Sequence, residues 1–244
     1  MEELVVRRAG FSPVKGMRHL ALDHIDLDER GPVGDRAYCL VDPAQGRVLR
    51  TVQRPSLIGV VARSYDDALV LTLPSGESVD GPATTSGETI TCDYWGRQVD
   101  LALTDGPHAE LMSVHLGQDV RLARSPRGAV VFADPITLVT TASLDALDEG
   151  EQAARFRATL VVETDEPWVE DTWLGRTMTV GVATIRIGGP IPRCAVIDHH
   201  PETGAKDARL LKALTHSRPT NKAGEPMFGV YATVVTPGRV AVTR

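Results

Sequence analysis

Three cysteines in 244 residues, Cys39, Cys92 and Cys194, are an odd number with no Cys-x-x-Cys spacing. That excludes a zinc or iron–sulfur site built from this chain's cysteines alone, and it argues against a disulfide framework. No apolar run approaches the ~20 residues that span a bilayer, so no membrane partner is expected. Positive charge is also scarce: 26 Lys and Arg stand against 32 Asp and Glu, a net charge of −6. A chain without a global positive field or a basic run is not expected to bind nucleic acid. There is no Gly-x-Ser-x-Gly elbow, no Walker A loop and no Gly-x-Gly-x-x-Gly after a strand. Serine-hydrolase and nucleotide-binding readings therefore have no support. The opening residues 1–8 are acidic first and lack the apolar region of a secretory leader, so a cytoplasmic location is expected.

What is present is an ordinary globular balance, 42% hydrophobic and 24% charged, enough for one large domain or two modest ones. Short Val- and Leu-rich runs at 4–8, 36–42, 47–51, 57–64 and 68–73 read as strands. They are broken by turn chemistry at 42–46, 54–56 and 74–76. Their close spacing favours antiparallel hairpins, since parallel crossovers need a dozen or more residues. Ser, Thr, Gly and Pro dominate from 76 to 87, which suggests a boundary near 90. Residues 107–116 have the cap signals of a helix, with Pro107 in the first turn and Gly117 closing it. Further helices are expected near Ser143 and over 207–216. Strands are expected at 136–140, 158–162, 177–181, 183–187, 194–198, 228–236 and 240–243. The expectation is a β-dominated α+β protein: a small β-barrel module over residues 1–90, then a barrel-like domain with a few helices over 91–244.

Among residues that carry chemistry, Cys194 stands in Gly188-Gly-Pro-Ile-Pro-Arg-Cys194, an electropositive turn. A thiolate is the soft anionic ligand that a high-valent metal or a sulfur-transfer reaction needs. A lone cysteine is otherwise a small core residue. Lys15 in Pro13-Val-Lys15-Gly and Arg36 in Gly34-Asp-Arg36 are ordinary turn charges unless they fold onto one pocket. There they would offer a phosphate a point charge and a guanidinium fork. Arg157 is a third candidate cation, or else an edge-strand arginine paired to Glu163 or Asp171. Glu170-Asp171 reads as a turn more readily than as a catalytic dyad. Asp198-His199-His200 lacks the spacing of a metal chelate and reads as a loop.

The order of these segments is more specific than any one of them. Pro13-Val-Lys15, Gly34-Asp-Arg36, Gln53-Arg-Pro55, Thr140-Thr-Ala-Ser-Leu144 and Arg155-Phe-Arg157 are followed by Glu170-Asp-Thr-Trp173, Arg193-Cys194, Pro201-Glu-Thr-Gly204 and Phe228-Gly-Val-Tyr231. The chain resembles the MOSC family over nearly its whole length. Within that family it is most similar to the two-domain branch that includes the mitochondrial amidoxime reducing component. The resemblance implies a molybdenum–pyranopterin (molybdopterin) cofactor with Cys194 as the catalytic thiolate ligand to molybdenum. It implies Lys15 and Arg36 on the cofactor phosphate, with Thr140, Ser143, Arg157 and Thr159 as further cofactor contacts. Two positions depart from the family pattern: Gly16 replaces a serine, and Ala158-Thr159 replaces Pro-Asn.

The function this implies is an oxidoreductase, independent of pyridoxal phosphate, that reduces N-hydroxylated or other N- or S-oxygenated small molecules. Its electrons would come from a separate ferredoxin- or flavoprotein-type donor, because the chain has no redox motif of its own. A cysteine-persulfide sulfur carrier or transferase using Cys194, or a non-catalytic cofactor-binding module, are the alternatives.

Overall fold

The computed structural model describes residues 2–65, 68–148 and 150–243. It is an α+β fold dominated by strands, and its strands fall into two main bodies. One is a closed five-stranded barrel made of Thr85–Tyr94, Arg97–Thr104, Arg121–Arg124, Tyr38–Asp42 and Arg47–Val48. Inward residues alternate along these strands. Cys39, Val41, Cys92, Tyr94 and Leu101 fill the barrel, while Thr89, Thr91 and Asp100 face out. Beside it a three-stranded sheet, Val61–Tyr65, Ala68–Thr72 and Ser78–Pro82, packs Leu69 and Leu71 against Leu57, Leu111 and Met112.

The second body is an eight-stranded sheet. Its order is Glu2–Glu3, Thr177–Val180, Ala183–Pro192, Met227–Thr236, Ile136–Thr140, Leu160–Val162, Val6–Phe11 and Leu20–Leu22. The chain's own beginning thus completes this sheet. Val6–Phe11 pairs antiparallel with Leu160–Val162, Ala9 opposite Leu160, and buries Val6 and Ala9 in the core that holds Leu138, Ile185 and Val230.

Position 90, near which a boundary is expected, lies inside the strand Thr85–Tyr94, whose hairpin partner begins at Arg97, and Val6–Phe11 and Leu20–Leu22 join the distal sheet. Threonine-rich composition resembles a linker, yet Thr is a good strand former when alternate positions carry Cys92 and Tyr94 inward.

The helices are short. The first, α1 (His108–Leu116), ends on Gly117 in the left-handed region, φ 63°, as its sequence requires. The second, α2 (Thr141–Asp145), is capped by Thr140, whose side chain accepts from the Ser143 amide. The third, α3 (Leu210–Ser217), starts later than expected. Asp207 does not cap it but pairs with Arg155 at 2.8 Å. Asp198 Oδ1 instead accepts from the Leu211 amide at 2.9 Å. Two expected strands are also corrected. Pro55 opens a 3-10 turn, Pro55–Gly59, before the strand Val61–Tyr65. Residues 195–198 form another 3-10 turn rather than a strand. Among the described residues no helix is long and apolar enough to cross a membrane.

Candidate functional site

A cavity of about 220 Å³ opens between the barrel and the large sheet. Both bodies line it: Lys15, Arg36, Arg50, Thr51, Tyr94 and Trp95 on one side, and Thr137, Phe156, Arg157, Arg193, Cys194 and Tyr231 on the other. A larger hollow of about 360 Å³ beside Asp42, Arg47 and Arg54 holds none of the candidate residues.

The cationic wall is built by the Lys15 turn and by two arginines at positive φ. Lys15 follows an isolated bridge between Val14 and Tyr38, and its amide donates to Tyr38 O at 2.8 Å. Its Nζ stands 5.2 Å from the centroid of the Tyr94 ring. Arg36 adopts φ 47° and Arg157 φ 54°, a region that side-chain-bearing residues seldom enter and that tends to be stored at functional sites. Arg157 Nη2 donates to Ser12 Oγ at 2.8 Å and to Met17 O at 2.7 Å, which ties the guanidinium to the turn that carries Lys15. It pairs with neither Glu163 nor Asp171. Glu163 binds Arg7, and Asp171 binds Arg218.

Charge at this wall is out of balance. Burial, then Arg36 and Arg157, hold the Lys15 ammonium well below its usual pKa, with Asp35 opposing. Burial and then Arg36 lower Arg157 to about 10. Asp35, the carboxylate paired with Arg36, also accepts from the Ser12 amide at 3.3 Å. Behind them Arg8 donates to His19 Nδ1 at 2.9 Å, so that ring must accept and stay neutral. Burial, and then Arg8, push the His19 pKa well down. Crowded cations with one carboxylate among them favour an incoming anion.

Cys194 faces this wall. It precedes the 3-10 turn Ala195–Asp198 in extended conformation and is exposed, whereas Cys39 and Cys92 are buried in the barrel core. Burial raises the Cys39 thiol to about 12, so the reactive-thiol reading rests on Cys194. Its position is set by Arg193, whose guanidinium turns inward over the Phe156 and Phe228 rings. Nε donates to Phe228 O at 2.8 Å and Nη1 to Phe156 O at 2.9 Å. Buried Arg193 Nη2 has no hydrogen-bond partner among the described residues.

The structure therefore brings Lys15, Arg36, Arg157 and Cys194 to one cavity. It does not bring Thr140, Ser143 or Thr159 there. Thr140 and Ser143 are buried, and both hydroxyls donate to Glu170 Oε2, at 3.0 and 2.9 Å. Ser143 Oγ also accepts from the Trp168 amide at 2.7 Å. Thr159 lies behind Thr137, the two hydroxyls 3.2 Å apart, and Thr137 is the one that lines the cavity.

Thr51 and Tyr231 are lining residues that sequence reasoning did not single out as contacts, although Tyr231 stands in a quoted motif. The Gly16 departure has a local cause. Gly16 has φ 90°, and a Cβ there would stand 3.1 Å from Leu57 Cδ1 and 3.3 Å from Thr51 Oγ1. The Thr51 hydroxyl thus occupies the space a side chain at position 16 would enter.

A family model described as the MOSC domain matches residues 113–243, and one described as the MOSC N-terminal beta barrel domain matches residues 5–119. The chain belongs to the MOSC family. The two matches meet near residue 115, beyond the whole of the strand Thr85–Tyr94. Among relatives, a "Molybdenum cofactor sulfurase" of Caenorhabditis elegans is 27% identical over 241 residues, covering 90% of this chain and 32% of that protein. One of Anopheles gambiae is 31% identical over 135 residues, 55% of this chain and 16% of that protein. This MOSC chain spans about a third of the nematode relative. A crystal structure titled as that of a hypothetical protein covers 98% of the chain and 64% of its own, at 10% identity and a TM-score of 0.42.

Proposed function

We propose that this MOSC protein is a molybdenum-cofactor-dependent oxidoreductase that reduces N-hydroxylated or other N- or S-oxygenated small molecules. The observation that carries the reading is one cavity whose lining joins an exposed thiol to the crowded cations Lys15, Arg36 and Arg157, with Asp35 paired to Arg36. The residues fit the cofactor chemically. A dianionic phosphate is the ligand that Lys15, Arg36 and Arg157 lack, and charge-assisted hydrogen bonds are the strong ones. Thr51 and Thr137 add hydroxyls in place of Gly16 and Thr159. Among the described residues no cluster of His, Cys, Asp and Glu could hold a metal by itself. Molybdenum here would come with the pterin's own sulfur ligands, and Cys194 would be the protein's donor.

When bound, the cofactor supplies a metal centre that accepts an oxygen atom from substrate in exchange for two electrons. The chain's part is to hold and orient. Lys15, Arg36 and Arg157 bind the phosphate, and an anion there restores the favoured charged state of Lys15. Arg193, locked to two carbonyls, keeps the Cys194 backbone in place so the sulfur enters the cavity. Tyr231 retains its phenolic proton, since burial raises its pKa, and so offers an O–H to the oxygen that leaves the substrate. Reduction of R–NH–OH takes two electrons and two protons and yields R–NH2 and water. The electrons come from a separate ferredoxin- or flavoprotein-type donor. Cys194→Ala is expected to abolish turnover of an N-hydroxylated substrate with a chemical reductant, while folding, read by circular dichroism, is retained. Full activity in that variant would remove the assignment.

One finding favours a second reading. The relatives named molybdenum cofactor sulfurases, and the exposure of Cys194, suit a persulfide carrier that delivers sulfur. Mass spectrometry separates the two. A persulfide at Cys194 in protein free of molybdenum supports sulfur transfer, and stoichiometric molybdenum with pterin supports the reductase.

A further inference from the structure

The mouth of the cavity carries three exposed apolar side chains, Val52, Trp95 and Phe132, the last two 47% and 49% exposed. They are held there at a conformational cost. Trp95 and Gly96 form the two-residue loop between Tyr94 and Arg97, with φ of 55° and 77°. Such hairpin loops need two left-handed residues and are ordinarily filled by Asn, Asp or Gly. A bulky residue at positive φ is an outlier that calls for an explanation. The tip is also anchored. Arg97 Nη2 donates to Val131 O at 2.5 Å, fastening the hairpin to the segment that bears Phe132. The Trp95 and Phe132 rings then meet edge to face, centroids 5.3 Å apart. The Arg50 guanidinium lies 4.2 Å from the Trp95 ring centroid, and its Nε is engaged by Gln53 at 3.2 Å.

We propose that Trp95 and Phe132, with Arg50 beside them, are specificity-determining residues that select planar aromatic substrates, neutral or acidic rather than basic. The inference rests on the reductase reading above and names the substrate class of that same cavity. Both rings are about half exposed beside the cavity, which leaves aromatic surface for an incoming π-system, and a guanidinium stacked on one of them favours a carboxylate over an ammonium group. The anion-binding wall of Lys15 and Arg157 supplies the phosphate subsite, and the aromatic mouth accepts the part of the substrate remote from its reacting oxygen.

The test uses full-length protein from a host that makes the pterin cofactor, with benzohydroxamic and acetohydroxamic acid as a pair sharing one functional group. Trp95→Asn suits the turn, and Phe132→Ala keeps the hairpin sequence intact. Dissociation constants by calorimetry and kcat/KM with a chemical reductant are measured for both compounds, alongside molybdenum content. The expected result is a loss of about tenfold in the preference for the ring compound, in binding and in kcat/KM, with molybdenum content unchanged. Wild-type preference in both variants would overturn the proposal. So would loss of molybdenum in Trp95→Asn, which would assign the ring to the cofactor. Tight ring binding without any reduction by metal-loaded wild type would sink the reductase reading alone.

Discussion

Gly16 shows how a departure from a family pattern can be absorbed nearby. At φ 90°, Thr51 Oγ1 stands 3.3 Å from a Cβ built there, and under the proposed function that hydroxyl takes the part of the missing serine. Thr51→Val tests this substitution of roles, since it removes the hydroxyl and keeps the shape. A hydroxyl bonded to a charged phosphate is worth about 1.5–3 kcal/mol, so cofactor retention is expected to fall by about tenfold or more. Pterin content after dialysis is the measurement, and unchanged retention would refute the exchange. At this scale the sequence was partly legible. Lys15, Arg36, Arg157 and Cys194, singled out by charge, softness and motif order, line one cavity. Thr140, Ser143 and Thr159 were placed at the cofactor by resemblance, and the fold turns their hydroxyls elsewhere because buried acceptors claim them. No local pattern distinguishes a Thr that feeds a buried carboxylate from one that faces a ligand.

The 3-10 turn Val169–Trp173 is bound to α2 through Glu170. Its Oε2 receives the Thr140 and Ser143 hydroxyls, which joins the turn to the end of the strand Ile136–Thr140. Burial raises the Glu170 pKa above its ordinary 4.5, while the Ser143 and Thr140 hydrogen bonds pull it back. Removing the acceptor strands two buried hydroxyls, so Glu170→Ala is expected to lose about 2–3 kcal/mol, roughly 4–10 °C in Tm for a chain of this size. A further expectation follows from linkage. A carboxyl whose folded pKa is raised loses stability as pH climbs from 4.5 through that folded value, and the burial penalty is absent below 4.5. Wild type should therefore gain on Glu170→Gln as pH drops from neutral towards 4.5. Parallel stability profiles for the two proteins would contradict it. Sequence reasoning found the turn in Glu170-Asp-Thr-Trp173 and the helix at α2, but not the bond between them, which spans 27 residues from Ser143. The strand Thr85–Tyr94 was missed for a different reason. Its partner Arg97–Thr104 follows directly, but its Ser- and Thr-rich composition alone resembles a linker.

Across the whole molecule, the decisive feature is that Val6–Phe11 and Leu20–Leu22 complete the distal sheet, while the turn between them reaches the barrel through the Val14–Tyr38 bridge. Val6–Phe11 pairs with Leu160–Val162, and this places the Lys15 turn within hydrogen-bonding distance of Arg157 through Met17 O. A reading by consecutive segments does not see this pairing, because proximity is set by sheet order and not by chain order. The β-dominated class was legible from short strands and turn chemistry, whereas the meeting of both ends in one cavity was implied by the resemblance and by no local pattern. The account stands on that meeting, and one measurement reaches it directly. Protein purified from a host that makes the pterin cofactor is assayed for molybdenum and treated with iodoacetamide, and Cys194 alkylation is read by mass spectrometry. The expected result is close to one molybdenum per chain with Cys194 protected, and both lost in a Lys15→Ala/Arg36→Ala double variant. Full molybdenum with Cys194 freely alkylated, or an unaffected double variant, would contradict it.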